Sequence, residues 1–364
     1  MGTPVSAGLL VIGVVSILVS FVIGPGYEIE YTDFGRDLVG AQLAQDDIVP
    51  YQELRVDGQQ TGAHWVAHSP FAIAVALAWL NAAGPVGAEL AAYVIEFAAL
   101  MALGWFTVFS GRSVGERMAL AGVFGAALLS MGARSDLFWL QGAAIVGLGL
   151  AAVYHFDRTG RRALGLILLG ALVAWRPWVA PLALFLPGGK SPWRDLYPVA
   201  LTATLLTLFS LPFLGGWEAL RTWIGEALPS NAAFYQTYPW NQSLVGPWLP
   251  PWLAIAVYIA GLALVARSRE RIQREGWPMA AAASVLTLTP LVWSQYWIAL
   301  VVCFIPGFRS RPVIGAAVYL LMIWPLSESG AVVARFASYL AIGVVLVTLL
   351  WSRSSRLRLE TASQ

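Results

Sequence analysis

A short group of charged residues follows the first apolar segment of the chain and has the composition of a chemical site. Asp33, Arg36 and Asp37 come soon after an apolar run over residues 5–23. Because such a run is long enough to cross a bilayer, these side chains are expected near the membrane surface. A carboxylate there can take a proton from a hydroxyl group as a general base. We assign this role to Asp33 as a hypothesis, and a solvated acidic loop is the alternative.

Two further arginines stand at breaks between later apolar runs. Arg176 precedes Pro177, and Arg134 lies two residues before Asp136. An arginine at membrane level is costly unless it faces a cavity or a partner, and a guanidinium group can bind phosphate through two parallel hydrogen bonds. Arg176 and Arg134 are therefore candidates for binding a phosphate. Snorkelling to head groups, or an ion pair between Arg134 and Asp136, are the alternatives.

Metal chemistry has little support in the sequence. Cys303 is the only cysteine, so the chain has no disulfide framework and no cysteine metal site. His64 and His68 are four residues apart and would share a helix face, but two histidines alone are a weak metal signal. These residues predict no cysteine or histidine metal site, and a metal held by aspartate or glutamate stays open.

The elements that position these residues are predicted to be membrane helices. Of the 364 residues, 58% are hydrophobic and only 12% are charged, whereas soluble proteins carry about 25% charged residues. The chain contains 17 tryptophans, which are typical of membrane interfaces. Apolar runs broken by proline, glycine and charge predict an all-α polytopic membrane protein with about 11 to 13 transmembrane or partial helices. Residues 70–82 form a shorter run, which we predict to be re-entrant or partial.

Basic segments set the predicted orientation. Residues 267–274, 309–311 and 353–358 are basic and are separated from one another by pairs of apolar runs, which places all three on the cytoplasmic side. Residues 24–67 carry eight acidic residues and two arginines, and this loop and residues 216–247 are then extracytoplasmic. Both loops are predicted to form short interfacial helices over a single transmembrane domain, residues 1–364, of a multi-pass plasma-membrane protein.

Four segments, taken in order, resemble motifs of glycosyltransferase family 87. They are Asp33-Phe34 with Ala41 and Pro50-Tyr51; Trp175-Arg176-Pro177 with Pro181; Asn241-Gln242-Ser243-Leu244 with Gly246; and Thr289-Pro290-Leu291-Val292-Trp293-Ser294-Gln295-Tyr296. They are similar to the family's first-loop signature, its Lys-Pro motif, its Asn-Gln-Ser motif and its Ser-Pro-x-Ser-Trp-x-His segment. The predicted topology places all four on the extracytoplasmic side.

The resemblance implies a GT-C-like fold and a glycosyltransferase activity that uses no metal and no cofactor. The sugar, mannose or arabinofuranose, would pass from a polyprenyl-phosphate donor to an extracytoplasmic glycolipid or glycan acceptor, by single displacement with Asp33 as base. The expected partners are this donor, the acceptor and membrane lipids, with no nucleic acid. The candidate substrate-binding residues are Arg176, Arg134, Asp136, Asn241, Gln242, Gln295, Tyr296, His68, His64, Arg36 and Asp37.

Gln295 departs from the family pattern, which has a histidine at this position. A glutamine side chain forms hydrogen bonds but cannot act as a base at neutral pH. Either His64 or His68 could replace the missing imidazole or contact the acceptor. The substitution also favours the alternative function, a non-catalytic transporter or a membrane subunit that binds a polyprenyl lipid.

Overall fold

The computed structural model describes most of the first two thirds of the chain and part of the remainder. The described residues are 3–23, 32–51, 54–56, 59–61, 68–185, 192–236, 243, 246, 249–268, 293, 296–310, 316 and 319. The α-helices are α1 (Thr3–Ile23), α2 (Asp33–Gln45), α3 (Pro70–Phe109), α4 (Val114–Leu128), α5 (Met131–Trp139), α6 (Ala143–Arg158), α7 (Arg162–Trp175), α8 (Pro192–Ser210), α9 (Trp217–Thr222), α10 (Leu228–Gln236), α11 (Pro251–Ser268) and α12 (Tyr296–Ser310). The described residues also form two 3-10 helices (Pro177–Phe185 and Leu211–Phe213) and a π-helical turn (Trp223–Ala227).

An antiparallel hairpin in the first loop departs from the predicted all-α class. Its strands are β1 (Leu54–Val56) and β2 (Gln59–Thr61), and Arg55 pairs with Gln60. Asp57-Gly58, the sequence between the strands, is a pair that favours two-residue hairpin turns. The other elements of the described residues are helical, so the predicted helical class is confirmed apart from this hairpin.

Three helices in the described part of the chain are long and apolar enough to cross a membrane. They cover Pro4–Val22, Pro70–Phe109 and Arg194–Phe213, and Arg162–Trp175 is a shorter apolar helix. A membrane protein with transmembrane helices is therefore supported. The predicted total of about 11 to 13 helices and the GT-C-like fold stay predictions.

Serine residues begin three of the helices that form the bundle. The side chains of Ser69, Ser113 and Ser130 accept hydrogen bonds from backbone N–H groups in the first turns of α3, α4 and α5. Such N-caps satisfy donors that would otherwise have no partner inside the helix. Helix α6 lacks an N-cap side chain of its own, because Gly142 occupies that position.

Helix α3 folds back on itself near its middle. Gly84 has non-helical φ and ψ angles of 70° and 174°. A straight helix would separate residues 69 and 96 by about 40 Å. Yet the Ser69 hydroxyl donates to the carbonyl of Trp175, the residue before Arg176, while Glu96 lies within electrostatic range of Arg176 itself. The bend at Gly84 therefore brings both ends of this stretch to one place, and the re-entrant or partial course of residues 70–82 in the membrane stays a prediction.

Two hydrophobic clusters hold the described helices together. The larger cluster surrounds α6, which packs against α3, α7 and α12. Its fully buried members include Leu103, Leu128, Val146, Leu169 and Ala299. The smaller cluster joins α2 to the first half of α3 and to the short helices after α8, and its members include Leu38, Tyr51, Ile73, Leu214 and Ala219. This second cluster fixes the position of α2 and hence of Asp33.

The described helices give the bundle two chemically different ends. The 16 residues of α6 lead from Gly142 to Arg158, a distance of about 24 Å, and α7 returns. At the far end, Arg162 binds Asp157 at 2.9 Å and Asp195 at 2.8 Å. The near end, where α6 begins and α7 ends, is where the charged residues of α2 meet His68, which lies two residues before α3.

Candidate functional site

The first turn of α2 presents Asp33. Thr32 precedes it, and the Thr32 hydroxyl accepts a 2.8 Å hydrogen bond from the backbone N–H of Gly35. A carboxylate in the first turn also interacts favourably with the helix dipole. The Arg36 guanidinium lies 3.5 Å from the Asp33 carboxylate, whose side chain is 15% exposed. Asp33 is thus held in place while part of its surface stays accessible.

His68 lies between two carboxylates of α2. Its Nδ1 is 2.7 Å from Oδ1 of Asp37, and its Nε2 is 3.7 Å from Oδ2 of Asp33. Asp33 and Asp37 are one helical turn apart, which puts both on the same face. The buried Tyr51 hydroxyl donates to the His68 carbonyl at 3.1 Å. Burial, and then the charge of Asp37, raise the pKa of Tyr51 well above its ordinary value, so the phenol stays a donor.

Arg176 enters the same cluster from the end of α7. Its Nε donates to the Gln141 carbonyl at 3.1 Å, and its Nη1 lies 3.9 Å from Oδ2 of Asp37. The guanidinium also lies over the Trp175 ring, 5.0 Å from the ring centroid. The Arg176 side chain is only 8% exposed, and its Nη1 has no hydrogen-bond partner among the described residues. A buried cation with a spare donor is suited to binding an anion.

Behind Arg176 lies a buried pair of carboxyl groups, Glu96 and Asp136. They hydrogen-bond to each other. Asp136 also accepts from the backbone N–H groups of Ala143 at 2.8 Å and Ala144 at 2.9 Å, and Glu96 accepts from Ala144 at 2.9 Å. Asp136 thereby supplies the cap that α6 lacks at its own N-terminus.

The protonation of Asp136 is shifted by its surroundings. Helix α5, with nine residues, is too short to cross a bilayer, so Asp136 lies outside the membrane-spanning segments. Burial raises the pKa of Asp136 to about 6, although its hydrogen bonds and the charge of Arg176 act in the opposite direction. The pair therefore retains a proton more readily than exposed carboxylates do, and it presents less than two full negative charges to Arg176.

Tyr296 closes another side of the cluster, at the first residue of α12. Its ring stacks on Trp178 with centroids 4.1 Å apart and an interplanar angle of 11°. Its hydroxyl lies within electrostatic range of both Asp33 and Arg176. Aromatic rings beside a carboxylate and a guanidinium form a surface on which a sugar ring can stack.

The structure brings together most of the predicted site residues that it describes. Asp33, Arg36, Asp37, His68, Asp136, Arg176 and Tyr296 are joined by the contacts above. His64, Asn241, Gln242 and Gln295 lie outside the described residues. Ser243, from the predicted Asn-Gln-Ser motif, is buried and its hydroxyl accepts from the backbone N–H of Gly246 at 3.0 Å.

Arg134 is placed differently from the sequence-based expectation. Its guanidinium donates to the Ser16 hydroxyl on α1 at 3.0 Å, and the contact is exposed. The alternative of an ion pair with Asp136 was wrong, because the Asp136 carboxylate turns inward to cap α6. Of the two candidate phosphate-binding arginines, only Arg176 lies in the cluster with Asp33.

Glu96 is the member of the cluster that was absent from the predicted site. The signal for it was an acidic residue inside an apolar helix, a placement that is costly unless the side chain has a partner. Its partners, Asp136 and the start of α6, are distant in the sequence.

Nothing in the comparisons with known proteins identifies a family for this chain. No protein-family model, curated protein or solved structure matches it. In the part of the chain that the structure describes, no group of three or more histidine, cysteine, aspartate or glutamate side chains is arranged to hold a metal ion. The resemblance to glycosyltransferase family 87 stays a prediction, and the case for a function rests on the geometry of the cluster.

Proposed function

We propose that the protein is a membrane glycosyltransferase of the GT-C type, which transfers a sugar from a polyprenyl-phosphate donor to an extracytoplasmic hydroxyl acceptor. One observation carries the proposal. Asp33, a partly exposed carboxylate, shares one cluster with Arg176, a buried guanidinium whose Nη1 has no hydrogen-bond partner among the described residues. These are the base and the phosphate-binding cation that such a transfer needs.

The reaction is a single displacement at the anomeric carbon. The acceptor hydroxyl gives its proton to Asp33 as its oxygen forms the new bond to that carbon. The bond between the anomeric carbon and the phosphate oxygen breaks, and polyprenyl phosphate leaves with the electron pair. Arg176 stabilises the charge that develops on the departing phosphate. The resemblance implies inversion at the anomeric carbon, and mannose or arabinofuranose as the sugar.

The location of the cluster supports a lipid-linked donor. It lies at one end of the bundle, opposite the end that carries Arg158 and Arg162. Loops rich in arginine favour the cytoplasm, so the cluster would face the extracytoplasmic side, and the bundle includes helices long and apolar enough to cross a membrane. A polyprenyl chain can then remain in the bilayer while its phosphate reaches Arg176.

A transfer assay with purified protein in lipid tests the proposal. Short-chain polyprenyl-phosphate mannose and arabinofuranose would each be offered with a membrane glycolipid extract. We expect product with one donor, and loss of that product in Asp33→Asn, since the amide cannot accept the proton. Asp46→Asn is the matched control, because Asp46 is an exposed acidic residue at the other end of α2. Full activity in a folded Asp33→Asn protein would contradict the assignment of the base.

The same assay separates the alternative function. Folded wild-type protein that turns over neither donor, yet binds the polyprenyl phosphate, would favour a non-catalytic lipid-binding or transport protein. Gln295, in place of the family's histidine, would be the first position to change to His in that case.

A further inference from the structure

We propose that Asp33, His68 and Asp37 form a proton relay, in which His68 receives the proton that Asp33 removes from the acceptor. This inference rests on the proposed function and adds a positioning residue to it. The carrying observation is the position of the imidazole between the two carboxylates, with one ring nitrogen turned to each.

The two ring nitrogens of His68 differ in their contacts. Nδ1 is 2.7 Å from Asp37, a hydrogen-bond distance, and the Asp37 side chain is only 2% exposed. A buried carboxylate requires a donor, so Nδ1 carries the proton. In the neutral ring, Nε2 is then the unprotonated nitrogen. Nε2 is the atom that lies 3.7 Å from Asp33, on the side where the acceptor proton arrives.

The proton balance of the relay follows from this tautomer. The acceptor O–H bond breaks and its proton moves to Oδ2 of Asp33. That proton passes to Nε2 of His68, which leaves Asp33 as a carboxylate and His68 as an imidazolium between two carboxylates. The two carboxylates beside the ring stabilise the positive charge of this imidazolium, which favours the transfer. The imidazolium later releases its proton to solvent, and no group is oxidised or reduced.

Several groups from neighbouring elements face this relay and set its charge. They are Asp33, Arg36 and Asp37 of α2, Tyr51 after α2, Arg176 at the end of α7, and Tyr296 at the start of α12. The two arginines are positive charges beside the two aspartates, and the carboxyl groups of Glu96 on α3 and Asp136 on α5 lie behind Arg176. The relay moves the proton only between neighbouring side chains, so it does not separate charge over a long distance.

The first test determines which ring nitrogen of His68 is protonated, and it needs no substrate. The chain has three histidines, so protein labelled with ¹⁵N at histidine gives few ring signals, and His68→Gln assigns the one of interest. Near neutral pH we expect a protonated Nδ1 and an unprotonated Nε2 at His68. Asp37→Asn should weaken this preference. A ring protonated at Nε2, or an imidazolium throughout the working pH range, overturns the relay.

The second test reads the relay through catalysis. We expect His68→Gln to lower kcat about 100-fold with little change in the donor KM, since proton transfer by a positioned group contributes about 100-fold or more. The pH profile of kcat should change shape in the variant, because the group that accepts the proton is gone. A purely structural role would lower kcat without changing the shape of the profile. An unchanged kcat and pH profile in His68→Gln overturns the relay.

The outcomes separate the relay from the proposed function. If Asp33→Asn loses transfer activity while His68→Gln keeps the wild-type kcat and pH profile, the proposed function stands and the relay is removed. Wild-type protein without transfer activity removes the function and the relay with it, whatever the tautomer at His68.

Discussion

At Arg176 a buried positive charge is surrounded by carboxylates that do not fully engage it. Asp37 is 3.9 Å from Nη1, and Glu96 and Asp136 act on the guanidinium by charge. Burying an arginine is costly unless hydrogen bonds satisfy its donors. A phosphate oxygen at Nη1 would supply the missing acceptor, so part of the binding energy of the donor is expected to come from this one group.

Replacement of Arg176 should therefore act on donor binding. We expect Arg176→Gln to raise the donor KM about 10- to 100-fold, because hydrogen bonds to charged groups contribute about 1.5–3 kcal/mol each. Arg176→Lys should raise the donor KM by a smaller factor, since lysine keeps the positive charge but lacks the planar guanidinium group. Steady-state kinetics with varied polyprenyl-phosphate sugar measure this. The control is Arg158→Gln, an exposed arginine at the far end of α6, and equal effects in the two Gln variants would contradict the role of Arg176.

The Asp136 carboxyl group predicts a dependence of stability on pH. Burial raises its pKa from the ordinary value of 3.8 to about 6 in the folded protein. A raised folded-state value means that protonation stabilises the fold. The contribution of Asp136 to the free energy of unfolding is complete below about pH 4 and is lost as the pH rises through about 6.

Wild-type protein should therefore gain stability relative to Asp136→Asn on acidification. From about pH 7.5 to about pH 5 the expected gain in the free energy of unfolding is on the order of 1 kcal/mol. Denaturant unfolding of both proteins in detergent, at each pH, gives the difference. A difference that stays constant with pH would mean that Asp136 is ionised throughout this range.

At the scale of elements, the start of α6 is fitted closely against the end of α7. Gly142 has a φ of 74°, and a Cβ atom placed on it would lie 2.7 Å from the Trp175 ring and 3.7 Å from Nη2 of Arg176. A side chain at Gly142 would thus strain the backbone and also push the ring and the guanidinium away. The close approach of these two elements holds Arg176 in the cluster.

The substitution Gly142→Ala separates these two effects when it is compared with Gly160→Ala. Gly160 has a φ of 79° but nothing within 4 Å of the added Cβ. In both variants the free energy of unfolding should fall by about 1–2 kcal/mol, because alanine is strained in the left-handed conformation. In Gly142→Ala it should fall by about 1–3 kcal/mol more, because the added Cβ atom presses on Trp175. Only Gly142→Ala should raise the donor KM. Unfolding experiments and donor kinetics on both variants check this, and equal losses would show that the fit at Trp175 is unimportant.

The sequence predicted the individual segments of the site better than their partners. Asp33 and Arg176 were identified because charged residues at the ends of apolar runs are unusual, and this signal is local. The contact between His68 and Asp37 depends on how α2 packs against the first half of α3, which the hydrophobic pattern does not specify. The partner of Glu96 could not be predicted for the same reason, since it belongs to another helix and the bend at Gly84 brings Glu96 to it.

At the scale of the whole molecule, the two ends of the bundle must face opposite sides of the membrane if the cluster is to meet a donor presented outside the cell. Asp46, just after α2, lies on the side of the bundle that carries the cluster. Thr159, just after α6, lies on the opposite, basic side. Both residues are exposed. The arginines near Thr159 favour the cytoplasmic side for that end.

Single cysteines at these two positions test the orientation directly. The chain's only cysteine, Cys303, is 3% exposed, so it should contribute little background labelling. We expect a membrane-impermeant maleimide to label Asp46→Cys in intact cells, and to label Thr159→Cys only after the membrane is permeabilised. The reverse pattern would place Asp33 and Arg176 in the cytoplasm, where a sugar nucleotide and not a flipped polyprenyl-phosphate sugar would be the available donor. Labelling of both cysteines from outside would mean that α6 does not carry the chain across the membrane.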